Sequence, residues 1–241
     1  MTDATNGTIF GRLKAAAPTL TAGIISADLM KLASEIEWLE KSGVGALHFD
    51  VMDGHFTPDL TIGPSFIKKI TSSLIKDVHL LTDNPEERLA DYVKAGAEVL
   101  TVHIERLKDP LGTMQALERL NNGRDLADRL VRGVAINPAT PLSALEPVLD
   151  DLEMITVLAV DACHGEHPSM EAVEIRIAKV KKMISHRRDQ VILCIDGGVK
   201  RDNIERFAAM GADLLVSGSA LFAGENPMEN VKYMLGVMQK G

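Results

Sequence analysis

The stretch Leu47-His48-Phe49-Asp50-Val51-Met52-Asp53-Gly54 sets an imidazole and a carboxylate two residues apart at the end of an apolar run. Side chains alternate faces along a β-strand, so His48, Asp50 and Met52 point to the same side. The next apolar run, Asp77-Val78-His79-Leu80-Leu81, closes in a similar way with His79. Late in the chain, Val191-Ile192-Leu193-Cys194-Ile195 leads into Asp196-Gly197-Gly198. His48, Asp50, His79 and Asp196 are therefore a candidate metal set at three strand ends, with a carboxylate free to double as a base.

Working outward, short apolar runs rich in β-branched residues recur at 22–26, 45–50, 76–81, 98–104, 132–136, 154–160, 191–195 and 213–217. Helical patterns fill the intervals at 28–42, 85–95, 141–149, 169–186 and 201–210. Gly43, Gly96 and Gly211 each follow a helical run, where a C-terminal cap favours glycine. Strands alternating with helices imply parallel βαβ units. Eight of them in 241 residues predict a single-domain α/β fold, the closed (β/α)8 TIM barrel. The barrel is expected over 22–241, after an N-terminal extension at 1–21. Residues 107–130, with Asn121-Asn122-Gly123-Arg124, exceed what one crossover needs and read as holding an insertion.

Composition narrows the function. A formal charge of −8 argues against nucleic-acid or anionic-membrane partners. It leaves room for an anionic small substrate, because a metal and backbone amides can make one pocket locally positive. Cys163 and Cys194 are too few for a disulfide framework. No apolar run reaches the ~20 residues of a membrane span, and residues 1–21 lack the apolar segment of a secretory signal. A cytoplasmic protein is expected.

A barrel of this kind carries its active site at the C-terminal strand ends, so the four candidate ligands can converge on one mouth. Imidazole nitrogen with carboxylate oxygen suits Zn²⁺, Fe²⁺, Mn²⁺ or Co²⁺ better than Ca²⁺ or Mg²⁺. His103 and Glu105 repeat the two-residue spacing at the fourth strand and read as rim groups or supports behind the ligands. Met52 is a candidate substrate contact. Gly197 and Gly198 after strand seven, with Gly218 and Ser219 after strand eight, stand where such barrels hold phosphate. Cys163-His164-Gly165-Glu166-His167 matches no standard zinc spacing and reads as a solvated loop.

Over about residues 22–225 the chain resembles the ribulose-phosphate 3-epimerase family. The resemblance rests on Ile24-Ile25-Ser26-Ala27-Asp28-Leu29, His48-Phe49-Asp50-Val51-Met52-Asp53-Gly54-His55-Phe56, Asp77-Val78-His79-Leu80, Asn137-Pro138-Ala139-Thr140-Pro141, Asp196-Gly197-Gly198-Val199 and Ser217-Gly218-Ser219-Ala220. It implies one divalent metal held by His48, Asp50, His79 and Asp196, with Asp50 and Asp196 as the acid–base pair. It further implies a sugar-phosphate substrate and a homo-oligomer. Inverting a carbon beside a ketone removes its proton from one face and delivers another to the opposite face. An ion beside the ketone stabilises the enediolate, and a carboxylate on each side serves in turn as base and acid.

This chain departs from the family around the substrate. Ala22-Gly23 stand where Pro-Ser is usual, and Leu81 and Leu158 replace two methionines. Cys163-His164-Gly165-Glu166 stands in place of a Gly-Phe-Gly-Gly loop, with Glu166 set where a phosphate is expected. The expected reaction is D-ribulose 5-phosphate to D-xylulose 5-phosphate. A paralogue acting on another ketose or ketose phosphate, such as D-allulose 6-phosphate, is the first alternative, and a non-catalytic sugar-phosphate-binding barrel the second. No lysine stands at a clear strand end for Schiff-base aldolase chemistry.

Overall fold

Eight strands carry the inner faces on which the site is built: β1 (Thr19–Gly23), β2 (Ala46–Met52), β3 (Ile75–Leu81), β4 (Val99–His103), β5 (Val131–Ile136), β6 (Met154–Leu158), β7 (Ile192–Asp196) and β8 (Leu214–Ser217). In the computed structural model, which describes residues 7–121 and 125–240, each strand pairs in parallel with the next and β8 closes on β1. The result is the (β/α)8 barrel expected from the alternation of elements.

The first residues of seven strands form an apolar floor: Ala46, Ile75, Val99, Val131, Met154, Ile192 and Leu214 pack together. Ile9 and Leu13 of the helix Ile9–Ala16 plug this floor from below. Two residues further along, the period of two brings His48, Asp77, Thr101, Gly133, Thr156 and Cys194 to the same inner face. One step more brings Asp50, His79, His103 and Asp196. The outward set, including Leu47, Phe49, Val78, Leu80, Leu193 and Ile195, packs under the helices in the main core. Polarity therefore rises from floor to mouth, where groups can be paired with each other or with a ligand.

The first strand starts at Thr19, so residues 19–21 of the stretch read as an extension already belong to the barrel, and residues 9–16 form its plug. Residues 1–6 and 122–124 lie outside the described residues. Within 107–130 the helix Pro110–Arg119 supplies the crossover and a 3-10 turn, Leu126–Asp128, follows it before β5, while most of the 121–124 stretch expected to hold an insertion lies outside the described residues. Asp109 caps it by accepting a hydrogen bond from the Gly112 N–H at 2.9 Å, with Pro110 in its first turn. The helix expected at 141–149 is instead a 3-10 turn, Leu142–Val148, because Pro147 has no N–H to give to an α-helical ladder. Among the described residues no helix is long and apolar enough to cross a membrane.

Candidate metal centre and active site

Lateral pairing assembles the four candidate ligands. The β2–β3 register places Asp50 beside His79 and His48 beside Asp77. Asp196 ends β7. His48 Nε2 lies 3.2 Å from Asp50 Oδ1 and 3.6 Å from Asp196 Oδ2. His79 Nδ1 lies 3.5 Å and 3.2 Å from the same two oxygens. A tetrahedral ion with ligand bonds of about 2.0–2.2 Å sets its ligand atoms about 3.3–3.6 Å apart. The four imidazole–carboxylate distances lie close to that spacing, and one ligand atom from each side chain falls within 4.8 Å of all the others.

Two further observations fit a cation here. His79 Nδ1 is buried and makes no hydrogen bond of acceptable geometry, although both carboxylates are near it. The imidazoles are closed off, at 1% and 0% side-chain exposure, whereas Asp50 and Asp196 retain 21% and 13%. The carboxylates therefore face the mouth and the imidazoles lie behind them. Burial disfavours the charged form of His48, but Asp50 and Asp77 outweigh it and hold its pKa well above the ordinary value. Burial likewise opposes ionisation of Asp50 and Asp196, yet the neighbouring imidazoles keep both carboxyls below their usual range. The cluster is built for anionic oxygens around a positive centre.

Each imidazole is oriented from behind. His48 Nδ1 is 2.7 Å from Asp77 Oδ2, so it donates there and leaves Nε2 free for a metal. His79 Nε2 is 3.0 Å from His103 Nε2, and His103 Nδ1 is 3.0 Å from Glu105 Oε2. Burial drives the His103 pKa down to about 4, so this ring is neutral. Burial works against the Glu105 carboxylate, but the His103 hydrogen bond, with help from the Asn137 N–H, holds its pKa at about 2. The polarity is then fixed: His79 donates to His103, and His103 donates to Glu105. His79 Nδ1 is left with its lone pair toward the carboxylates. Replacing His103 with Ala, or Glu105 with Gln, is expected to weaken metal binding by roughly 10–100-fold. Competition against a chelator of known affinity measures this, and an unchanged affinity would contradict the assignment.

Above the quartet lies a cavity of about 360 Å³, lined by Asp50, Met52, Leu81, Leu158, Asp196 and the loop from Val160 to Gly165. A smaller cavity of about 100 Å³ shares Asp50 and Asp196 with it and is lined by Ser26, Gly197, Gly198, Lys200, Gly218 and Ser219, among others. Gly197 and Gly198 have φ of +105° and +69°, a backbone turn that side-chain-bearing residues rarely adopt. A Cβ at Gly197 would also stand 2.9 Å from Val160 Cγ2. All the residues expected at the site, Met52 and the glycine loops included, thus meet at one mouth. Glu166 is exposed, and the loop's Cys163, His164 and Gly165 line the cavity instead. Asp77 was missed as a supporting residue, although it lies two before His79 on the same face. Ser26 lay within the Ile24–Leu29 motif but was not singled out as a site residue, and Lys200 had no readable signal until the loops were placed.

The comparisons with known proteins agree with this geometry. The model of the ribulose-phosphate 3 epimerase family matches residues 19–222. The chain is 32% identical over 216 residues to ribulose-phosphate 3-epimerase of Bacillus subtilis, covering 88% of this chain and 96% of that protein. It is 34% identical over 215 residues to the chloroplastic ribulose-5-phosphate-3-epimerase of Arabidopsis thaliana, covering 88% and 74%. Among solved structures, a tryptophan synthase from M. tuberculosis superposes with a TM-score of 0.66 at 14% identity, covering 97% of this chain and all of that one, a likeness of fold alone.

Proposed function

Because the chain belongs to the ribulose-phosphate 3-epimerase family, we propose that it interconverts D-ribulose 5-phosphate and D-xylulose 5-phosphate by removing and replacing the proton on carbon 3. One observation carries the reading. Two carboxylates from β2 and β7 lie 3.2–3.6 Å from the same two imidazole nitrogens and are the members of the quartet that reach the mouth.

The chemistry of the chain's own residues follows from that arrangement. Epimerisation needs a base on one face of the reacting carbon and an acid on the other. Asp50 and Asp196 approach from different strands, and a planar carbon between them presents one face to each. In one direction Asp50 takes the proton and Asp196 supplies its replacement; in the other the roles exchange. His48, held by Asp77, and His79, held by His103, keep the carboxylates and the ligand atoms in register. Met52, Leu81 and Leu158 wall the larger cavity with apolar surface, which limits water at the reacting carbon. The quartet would hold one divalent ion, Zn²⁺, Fe²⁺, Mn²⁺ or Co²⁺, which supplies a positive centre beside the oxygens that gain charge as the proton leaves. The smaller cavity, with the Gly197–Gly198 and Gly218–Ser219 loops, is the proposed seat of the phosphate. The family reading also carries a homo-oligomer working in the cytoplasm, testable by light scattering and cell fractionation.

Substrate choice is tested with metal-loaded protein and a panel of ketoses. The proposal expects kcat/KM to be highest for D-ribulose 5-phosphate. A preference for D-allulose 6-phosphate or an unphosphorylated ketose by about 1.4 kcal/mol or more, a factor of ten, would reassign the substrate.

A further inference from the structure

We propose that His167 is a specificity-determining residue that donates a side-chain hydrogen bond to the substrate phosphate, beside a loop after β6 whose amides from Asp161 to Gly165 are already committed. This inference rests on the phosphate seat proposed above.

The loop has turned its amides inward. Asp161 N–H donates to the Glu166 carbonyl at 2.8 Å, and Gly165 N–H to the Asp161 carbonyl at 2.8 Å. The N–H groups of Cys163 and His164 both donate to Asp161 Oδ1 at 2.9 Å. Ala162 N–H donates to Asn137 Oδ1 at 3.0 Å. Every amide from Asp161 to Gly165 is therefore committed within the loop or to Asn137. The Asp161–Glu166 closure instead delivers the next residue, His167, onto the glycine loop. Its ring atoms Cε1 and Nδ1 lie 3.4 Å and 3.5 Å from where a Cβ on Gly198 would stand. Gly198 lines the smaller cavity, together with Lys200 and Ser26. His167 is exposed, so a ring N–H can turn toward an incoming oxyanion. An imidazole thus stands against Gly198, one wall of a cavity whose own side-chain donors are Lys200, Ser26 and Ser219.

Metal-loaded wild type, His167→Ala and His167→Gln decide the matter through two readouts. Losing one hydrogen bond to a charged group is expected to raise KM for D-ribulose 5-phosphate roughly 10–100-fold, with kcat little changed. Binding of inorganic phosphate, measured by calorimetry in the absence of sugar, should weaken by a similar factor. His167→Gln, which keeps a neutral donor, should recover part of both. Unchanged or tighter phosphate binding in His167→Ala would overturn the proposal, the latter showing that the ring obstructs the seat. The phosphate measurement stands whether or not the sugar turns over. Wild type that binds phosphate through His167 yet leaves D-ribulose 5-phosphate unchanged would support His167 and refute the substrate.

Discussion

Asp50→Asn and Asp196→Asn are each expected to lower kcat for epimerisation by at least roughly 10²–10⁴-fold, the contribution of a positioned general acid or base. The carboxamide keeps the shape of the side chain but cannot take a proton, and it is a poorer ligand in a site built from two anionic oxygens. The two variants also separate the two faces of the reaction. With one carboxylate left, the enzyme can still remove the proton that this group faces, so one epimer should exchange its carbon 3 hydrogen with solvent while conversion to the other is lost. The variants should show opposite preferences between the two epimers. Exchange of both epimers by a single variant would mean that one group serves both faces, and the two-carboxylate scheme would be wrong.

Removal of the metal is the second large effect. Dialysis against a strong chelator is expected to abolish turnover, and restoring Zn²⁺, Fe²⁺, Mn²⁺ or Co²⁺ separately to return it to different extents. The barrel should remain folded without the ion. Its floor and outer core are apolar and independent of the quartet, and protonated imidazoles can offset the two carboxylates. A ligand that binds only the folded state at a hundred times its Kd adds about 2.7 kcal/mol, so the metal-loaded protein should melt several degrees higher. Full activity in protein shown by elemental assay to be metal-free would contradict the reading of His48, Asp50, His79 and Asp196 as ligands.

The barrel was legible because its signal is local. Each strand is an apolar run bounded by polar turns, and the period of two alone places His48 with Asp50 and His103 with Glu105. Convergence of Asp196 with β2 and β3 also followed from the fold class, since strand ends of a closed barrel meet at one mouth. The elements that escaped were short, or were masked by the sequence around them. The helix Ile9–Ala16 is two turns long, and its value lies in the floor it plugs rather than in its own pattern. The helix Pro110–Arg119 was hidden by its surroundings, although the Asp109-Pro110 pair marks its start. The support from His103 to His79 needed the distance between neighbouring strands, which sequence spacing does not contain. The same holds for His167 and Gly198, thirty-one positions apart and brought together only by the turn that Asp161 closes.

Transfer of the carbon 3 proton of a ketose phosphate between two carboxylates leaves a mark that solvent deuterium records. The most direct test is NMR of D-ribulose 5-phosphate in deuterium oxide with the metal-loaded protein. Loss of the carbon 3 proton signal is expected together with the appearance of D-xylulose 5-phosphate deuterated at that carbon, and neither with metal-free protein. Retention of the proton by a demonstrably metallated, folded enzyme would contradict it.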